Sequence, residues 1–183
     1  LVRKALQLSY ESRWTYFLLA LIPAICDCAA VVLLDHISRR YMGQGRAQRC
    51  LVLFAAFCPL TLFDTGIWKQ IDGAFALPLL LCFWLLEERR YLLAAVLYGV
   101  ALAIKPQALL FGPVLAVCYL AAITLEKDRL RAFGRCFGGA ALALLPPLLT
   151  GLPFFGVVQL IPKLIDKYIG TMSGYPYATI NAF

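Results

Sequence analysis

Six runs of apolar residues follow one another along the chain, and each is 14 to 21 residues long. They cover residues 14–34, 50–63, 73–86, 91–104, 107–125 and 136–150. An apolar helix of about twenty residues matches the ~30 Å hydrocarbon core of a bilayer. Apolar residues make up 62% of the 183 residues, whereas soluble domains contain about 45–50%. The sequence therefore predicts an all-α fold, a polytopic bundle of about six short or broken transmembrane helices that forms a single transmembrane domain over residues 1–183.

A carboxylate lies near the middle of the first run. Asp27 follows Pro23 by four residues. A charged side chain at this depth costs roughly 2.5–3.5 kcal/mol on membrane-insertion scales, so we expect Asp27 to face protein or water. Two interpretations stay open: Asp27 lines a polar cavity, or it is a protonated residue that is hydrogen-bonded between helices.

The second and third runs are joined by a polar segment, residues 64–72. It brings together two carboxylates, an ammonium, an amide and an indole, which belong to Asp64, Asp72, Lys69, Gln70 and Trp68. Each flanking run provides about 21 Å of helix, which is shorter than the hydrocarbon core. The bilayer could thin, the helices could borrow loop residues, or the segment could lie in a water-filled recess. An ordinary wet loop with an interfacial tryptophan is the simpler alternative.

Only Lys105 and Pro106 separate the fourth run from the fifth. Proline disfavours helix for the residue before it, so the helix should break at Lys105. An unbroken helix over residues 91–125 would be about 52 Å long, which is too long for one span. We therefore expect Lys105 in a turn at membrane depth, in a wet cavity that residues 64–72 also line.

The distribution of basic residues predicts the orientation. Ten Lys and Arg fall in three segments, residues 35–49, 87–90 and 126–135, and four fall in the opposite-side segments that follow the first helix. Because cytoplasmic loops are the basic ones, residues 64–72 and Lys105 should face the outside or a lumen. Apolar residues at helical spacing within residues 151–183 predict a short interfacial helix on that same side.

The sequence gives little reason to expect binding of a metal or of nucleic acid. The seven cysteines lie in or at the ends of apolar runs, and the chain has one histidine, so a Cys/His zinc site is not expected. We expect no metal and no cofactor. The net charge of +7 comes from clusters between apolar runs and forms no patch for nucleic acid. Membrane lipids are the expected surroundings.

Three segments of the chain resemble a family of membrane enzymes. Pro59-Leu60 followed by Phe63-Asp64-Thr65-Gly66-Ile67-Trp68-Lys69-Gln70-Ile71-Asp72 is similar to a pattern of Pro, a short gap and Trp-Gly-Gln-x-Asp, although Lys69 stands where Gly is usual. Residues 103–113 are similar to a Lys-Pro-Gln segment, and residues 177–183 resemble the start of a later helix. The chain thus resembles the polytopic GT-C glycosyltransferases that use lipid-phosphate sugars, in particular bacterial members and relatives of the dolichyl-phosphate-glucose glucosyltransferases.

The resemblance implies transfer of a sugar, mannose or glucose, from a polyprenyl-phosphate donor to a glycan, lipid or protein acceptor on the outer or lumenal face. The enzyme would be a multi-pass protein of the bacterial plasma membrane or of the eukaryotic endoplasmic reticulum. Lys105 would bind the donor phosphate, and Trp68 would offer a flat face to a sugar. Gln70, Gln107 and Asp27 are the other candidate substrate-binding residues.

The resemblance places the family's catalytic base in an outer loop upstream of Leu1. Within this sequence Asp72 and Asp64 are the candidates, because they are the carboxylates of a comparable outer segment. The chain looks like part of a longer protein, and we expect the 183 residues alone to be inactive. A transporter or lipid-flippase module with a polar intramembrane pathway, and a scaffold subunit without chemistry, are the alternatives.

Overall fold

The computed structural model describes residues 13–68, 70–125 and 129–173. These residues are helical except at short connections, and no strand occurs among them. The α-helices are α1 (Arg13–Met42), α2 (Arg46–Ala56), α3 (Pro59–Phe63), α4 (Asp72–Glu87), α5 (Tyr91–Ile104), α6 (Gly112–Leu125) and α7 (Arg129–Ser173). A π-helix over Asp64–Trp68 follows α3, and a 3-10 helix over Pro106–Phe111 precedes α6. The prediction of an all-α polytopic bundle is confirmed.

Three helical stretches of the described chain are long and apolar enough to cross a membrane: Tyr16–Met42, Arg46–Trp68 and Phe133–Gly170. Tyr91–Ile104 and Pro106–Ala121 are shorter apolar stretches. Many large apolar side chains point outward along these helices, as lipid-facing residues do. Length, composition and exposure together agree with a multi-pass membrane protein.

The first two membrane-length stretches are longer than the apolar runs that predicted them. Helix α1 continues through residues 35–42, which were expected to form a loop, and ends before Gly43. The second stretch joins α2, α3 and the π-helix into 23 residues, or about 34 Å of helix at 1.5 Å per residue. The added length comes from residues that were predicted to form loops. Residues 64–68 are helical, not irregular.

The described chain divides into two compact units, residues 1–81 and residues 82–183. The division falls inside α4, between Leu81 and Cys82. The first unit holds α1 to α3, the π-helix and the start of α4. The second unit holds the end of α4 and everything after it. The single domain over residues 1–183 stays a prediction.

Small residues bring α5 and α7 into close contact within the second unit. A Cβ atom added at Gly99 would lie only 2.9 Å from the Cδ atom of Pro146 and would also meet the carbonyl of Ala143. That carbonyl has no helical N–H partner, because residue 147 is proline. Close approach at small residues is the usual way in which membrane helices pack. Gly99 therefore fixes the depth at which α5 lies against α7.

Helix α7 is broken at Gly156, where φ is +67° and ψ is +169°. This conformation is essentially restricted to glycine. After the break, the side chains of Leu160 and Leu164 pack back against Gly151, at 2.8 and 3.4 Å from an added Cβ atom. Residues 157–173 are helical, as the spacing of the apolar residues predicted.

A two-bond cap ends α4 at the charged turn. The N–H of Arg90 donates to the carbonyl of Leu85 at 2.8 Å, and the N–H of Arg89 donates to the carbonyl of Leu86 at 3.0 Å. Arg89 has a φ of +58°, the left-handed conformation that this cap requires. The tight turn predicted for residues 87–90 is thus present.

Candidate functional site

Lys105 lies at a break between two helices of the second unit. Its backbone is extended, with φ −138° and ψ +126°, between the end of α5 and the start of the 3-10 helix. Its N–H still donates to the carbonyl of Ala101 at 2.9 Å, and its carbonyl accepts from the N–H of Ala108 at 3.1 Å. The side chain is partly buried and has an interaction partner. The predicted break is therefore present, and the Lys105 backbone is held on both sides.

Pro106 leaves a carbonyl of α5 without its helical partner. In a continuous helix the carbonyl of Leu102 would accept from the N–H of residue 106, and proline has none. The hydroxyl of Tyr168 fills this place and donates to the Leu102 carbonyl at 2.8 Å. Tyr168 lies on α7 beyond the Gly156 break, so this bond ties the end of α7 to the turn at Lys105.

A second tyrosine secures the other side of the turn. The buried hydroxyl of Tyr98 donates to the carbonyl of Ala108 at 3.1 Å. A Cβ atom added at Gly112 would lie 3.0 Å from that hydroxyl oxygen, so the glycine leaves room for it. The N–H of Gly112 also donates to the carbonyl of Leu109. In a continuous α-helix that carbonyl would accept from residue 113, which is a proline and has no N–H. Gln107 is exposed on the 3-10 helix between these contacts.

The first unit positions the other candidate residues. Asp27 is partly buried in α1, and one of its carboxylate oxygens accepts a hydrogen bond of 2.5 Å from the hydroxyl of Thr65. Thr65 is buried in the π-helix. A Cβ atom added at Gly73, in the first turn of α4, would collide with the Asp27 carboxylate and lie 2.8 Å from the carbonyl of Pro23. Asp27, on α1, thus contacts both the π-helix and the first turn of α4.

The polar segment itself is more ordered than a wet loop. Asp64 and Trp68 begin and end the π-helix, and Trp68 packs edge-to-face on Phe63 with ring centroids 5.3 Å apart. The indole is nevertheless 56% exposed, so one face remains accessible. The N–H of Gln70 donates to the carbonyl of Asp64 at 3.2 Å, and Asp72 is the first residue of α4. Lys69 lies outside the described residues.

The sequence profile of glycosyltransferase family 87 matches residues 6–175. The chain belongs to glycosyltransferase family 87. The resemblance to polytopic membrane glycosyltransferases, which was stated from the motifs, is thereby confirmed. No curated protein and no solved structure shows a significant similarity to this chain.

Four residues of this family 87 chain contribute to the two sites, although the sequence analysis assigned none of them a role. Thr65 and Gly73 contact Asp27, and Tyr98 and Tyr168 support the turn at Lys105. Pro106 indicates in the sequence that the carbonyl of Leu102 needs another hydrogen-bond donor, but it does not identify Tyr168 as that donor. Thr65 was visible only as a polar residue within the motif.

We find no cluster of metal-binding side chains in the part of the chain that the structure describes. Among those residues, no group of three or more His, Cys, Asp or Glu side chains is arranged to hold an ion. The cysteines there are free thiols, and they are spread over α1, α2, α4, α6, α7 and the residue before α3. The polar groups of the two sites are therefore carboxylates, amides, hydroxyls, an ammonium and an indole.

Proposed function

We propose that this glycosyltransferase moves a sugar from a polyprenyl-phosphate donor to an acceptor on the outer or lumenal face of the membrane. The observation that carries this proposal is the position of Lys105. Lys105 is a partly buried residue at a helix break between two apolar helices, and the backbone of the break is held by Tyr98 and Tyr168. Ionisable groups within membrane segments generally serve a substrate or an ion.

The donor needs a cation at this depth. A polyprenyl phosphate has an apolar tail that lies among lipid or apolar side chains, and its phosphate stays at the edge of the apolar region. In the reaction, an acceptor oxygen bonds to the anomeric carbon while the bond from that carbon to the phosphate oxygen breaks. Negative charge then grows on the leaving phosphate, and a fixed ammonium stabilises it. Lys105 supplies that charge, and Gln107 lies two residues further along the same turn.

The first unit supplies groups of the type that bind sugars. Trp68 has an accessible aromatic face, and a sugar ring presents apolar C–H groups that can lie on it. Gln70 and Asp72 offer hydrogen-bonding groups for hydroxyls. Asp27 belongs to the same unit and is positioned by Thr65. Their role in substrate binding is part of this proposal.

The acceptor hydroxyl must lose a proton to a base during transfer. Asp72 and Asp64 are the carboxylates of the polar segment, and both are partly buried. Of the two, Asp72 is the acidic residue of the Trp-x-Gln-x-Asp part of the motif, and it stands at the first turn of α4. Asp72 is therefore our first candidate for the catalytic base, and Asp64 is the second.

Membership of a glycosyltransferase family favours transfer over transport. The positive-inside distribution of Lys and Arg supports an outer or lumenal position for the polar segment and for Lys105. The membrane would be the plasma membrane of a bacterium or the endoplasmic reticulum of a eukaryote.

A donor comparison tests this function. Membranes containing the protein at its full natural length are given radiolabelled polyprenyl-phosphate mannose, polyprenyl-phosphate glucose or the matching nucleotide sugars, together with lipid and glycan acceptors. We expect transfer from one of the lipid-linked donors and none directly from nucleotide sugars when lipid-linked sugar synthesis is blocked. Direct transfer from a nucleotide sugar under that block would contradict the proposal.

A further inference from the structure

A cavity of about 340 Å³ lies between the end of α1 and the start of α2. Its lining residues come from both helices and from the turn between them: Asp35, Arg39, Gln44, Gln48, Arg49, Val52 and Leu53. Charged and amide side chains thus share one cavity with two apolar side chains. None of these residues belongs to the proposed sugar-transfer sites.

A hydrogen-bond network fixes the polar wall of this cavity. The side-chain amide of Gln48, which is buried, donates to a carboxylate oxygen of Asp35 at 2.7 Å and to the hydroxyl of Ser38 at 3.2 Å. Arg39 donates through Nε to the same Asp35 oxygen at 3.1 Å, and its Nη2 lies 2.6 Å from the second oxygen. Both carboxylate oxygens of Asp35 are therefore engaged within the protein.

Hydrogen-bond donors remain available to a ligand. A guanidinium has five N–H groups, and the contacts with Asp35 occupy about two of those of Arg39. Arg49 brings a second guanidinium to the cavity. With one carboxylate and two guanidinium groups, the wall keeps one net positive charge. Guanidinium groups bind phosphate through paired hydrogen bonds, so the cavity suits a phosphate group.

The position of the cavity indicates that the phosphate would belong to a lipid headgroup. The two membrane-length stretches Tyr16–Met42 and Arg46–Trp68 meet at this turn, so the cavity lies at the edge of the apolar region. Leu53 of its apolar wall is 56% exposed, and the neighbouring Phe54 is 71% exposed. An acyl chain can lie along these side chains while its headgroup enters the cavity. Basic cavities between helices at the cytoplasmic surface are suited to anionic lipid headgroups.

We propose that this α1–α2 cavity binds the phosphate headgroup of an anionic phospholipid, with Arg39 and Arg49 as its ligands. Asp35 and Gln48 are positioning residues, because Asp35 binds Arg39 and Gln48 holds Asp35 in place. Val52 and Leu53 contact the upper part of the lipid. The cavity shares no residue with the turn at Lys105, and the proposal does not depend on the proposed donor.

Lipid titration of the purified protein in detergent, followed by native mass spectrometry, tests the proposal. The probes are phosphatidylglycerol, phosphatidylcholine and glycerol 3-phosphate. We expect the first phosphatidylglycerol to bind at least fivefold more tightly than phosphatidylcholine. Arg49→Gln should weaken the binding of phosphatidylglycerol at least fivefold. Arg46→Gln removes the same charge from the first turn of α2 but does not line the cavity, and it should change the affinity less than twofold.

A second pair of variants separates the cavity from its charge. Val52→Trp fills the cavity without altering any charge and should also weaken the binding of phosphatidylglycerol at least fivefold. Leu51→Trp, on the same helix but outside the cavity, should not. Equal losses in Arg49→Gln and Arg46→Gln, or normal binding in Val52→Trp, would overturn the proposal. So would glycerol 3-phosphate binding as tightly as the whole lipid, because the occupant would then be a soluble phosphate.

Discussion

Asp27 illustrates what a single residue can reveal. Because a charged side chain is costly inside a membrane, the sequence predicted that Asp27 faces protein or water. In the structure, Asp27 contacts the hydroxyl of Thr65 and the backbone around Gly73. The hydrogen bond supports the expectation that Asp27 faces protein. Thr65 lies 38 residues further along the chain, so no local pattern could identify it. The interaction depends on the packing of α1 against the π-helix.

Gly73→Ala should destabilise the protein. The added methyl group would collide with the Asp27 carboxylate and approach the carbonyl of Pro23, which as backbone cannot rotate away. Forced packing of this kind costs about 1–3 kcal/mol, so thermal unfolding in detergent, followed by circular dichroism, should begin several degrees earlier. Gly66→Ala is the control, because nothing lies within 4 Å of its added Cβ atom. Equal melting temperatures for the two variants would contradict the packing described around Asp27.

Removing the hydroxyl of Thr65 tests the same contact from the other side. Thr65→Val keeps the shape of the side chain and leaves a carboxylate oxygen of Asp27 without its donor, which should cost about 1–3 kcal/mol. Thr65→Ser retains a hydroxyl and should recover most of the loss. Thr124→Val removes only an exposed hydrogen bond to the carbonyl of Ala121 and should have a small effect. If Thr65→Val unfolds at the same temperature as the unmodified protein, the hydrogen bond does not contribute to stability.

At the scale of elements, proline positions decide where helices need outside partners. Pro106 frees the carbonyl of Leu102 for Tyr168, and Pro147 frees the carbonyl of Ala143 beside Gly99. The sequence predicted the break at Lys105 because the effect of proline on the preceding residue is local. It could not predict Tyr168 as the donor, because α7 returns to this point only after the Gly156 break.

Tyr168→Phe should loosen the turn at Lys105. The substitution retains the ring and removes the donor to the Leu102 carbonyl, which Pro106 has left without a helical partner. An unpaired buried carbonyl costs about 1–3 kcal/mol, so the melting temperature should fall by a few degrees. Hydrogen exchange followed by mass spectrometry should also accelerate at residues 102–108. Tyr41→Phe, at a side chain that is 63% exposed, should leave both measurements unchanged. Unaltered exchange in Tyr168→Phe would show that the bond does not hold the turn.

At the scale of the whole molecule, the apolar runs predicted the class of the protein correctly. All six runs are mainly helical, because apolar segments in lipid must satisfy their own backbone hydrogen bonds. The limits of the helices were less predictable. Residues 35–42 and 64–68 are polar enough to suggest loops, yet both extend membrane-length helices. Polar residues at a helix end can reach the headgroup region, so composition alone places such boundaries poorly.

The stretch Arg46–Trp68 makes a prediction about topology. If it crosses the membrane, its two ends lie on opposite sides, with the basic end in the cytoplasm. In a cysteine-free background, Ile67→Cys should react with an impermeant maleimide added outside intact cells, whereas Met42→Cys should react only after permeabilisation. Both side chains are exposed, so accessibility within the protein does not limit the reaction. Labelling of both from the same side would mean that this stretch does not cross.

The central claim, that Lys105 binds the donor phosphate, is tested most directly by sugar transfer in matched lysine variants. In the full-length protein, Lys105→Gln should reduce transfer from the polyprenyl-phosphate donor at least tenfold, which corresponds to about 1.4 kcal/mol. Lys105→Arg should be impaired less, because it keeps the charge but changes its shape. Lys163→Gln, which removes the same charge from an exposed position on α7, should transfer sugar normally. Normal transfer by Lys105→Gln, with the variant inserted and folded, would contradict the account.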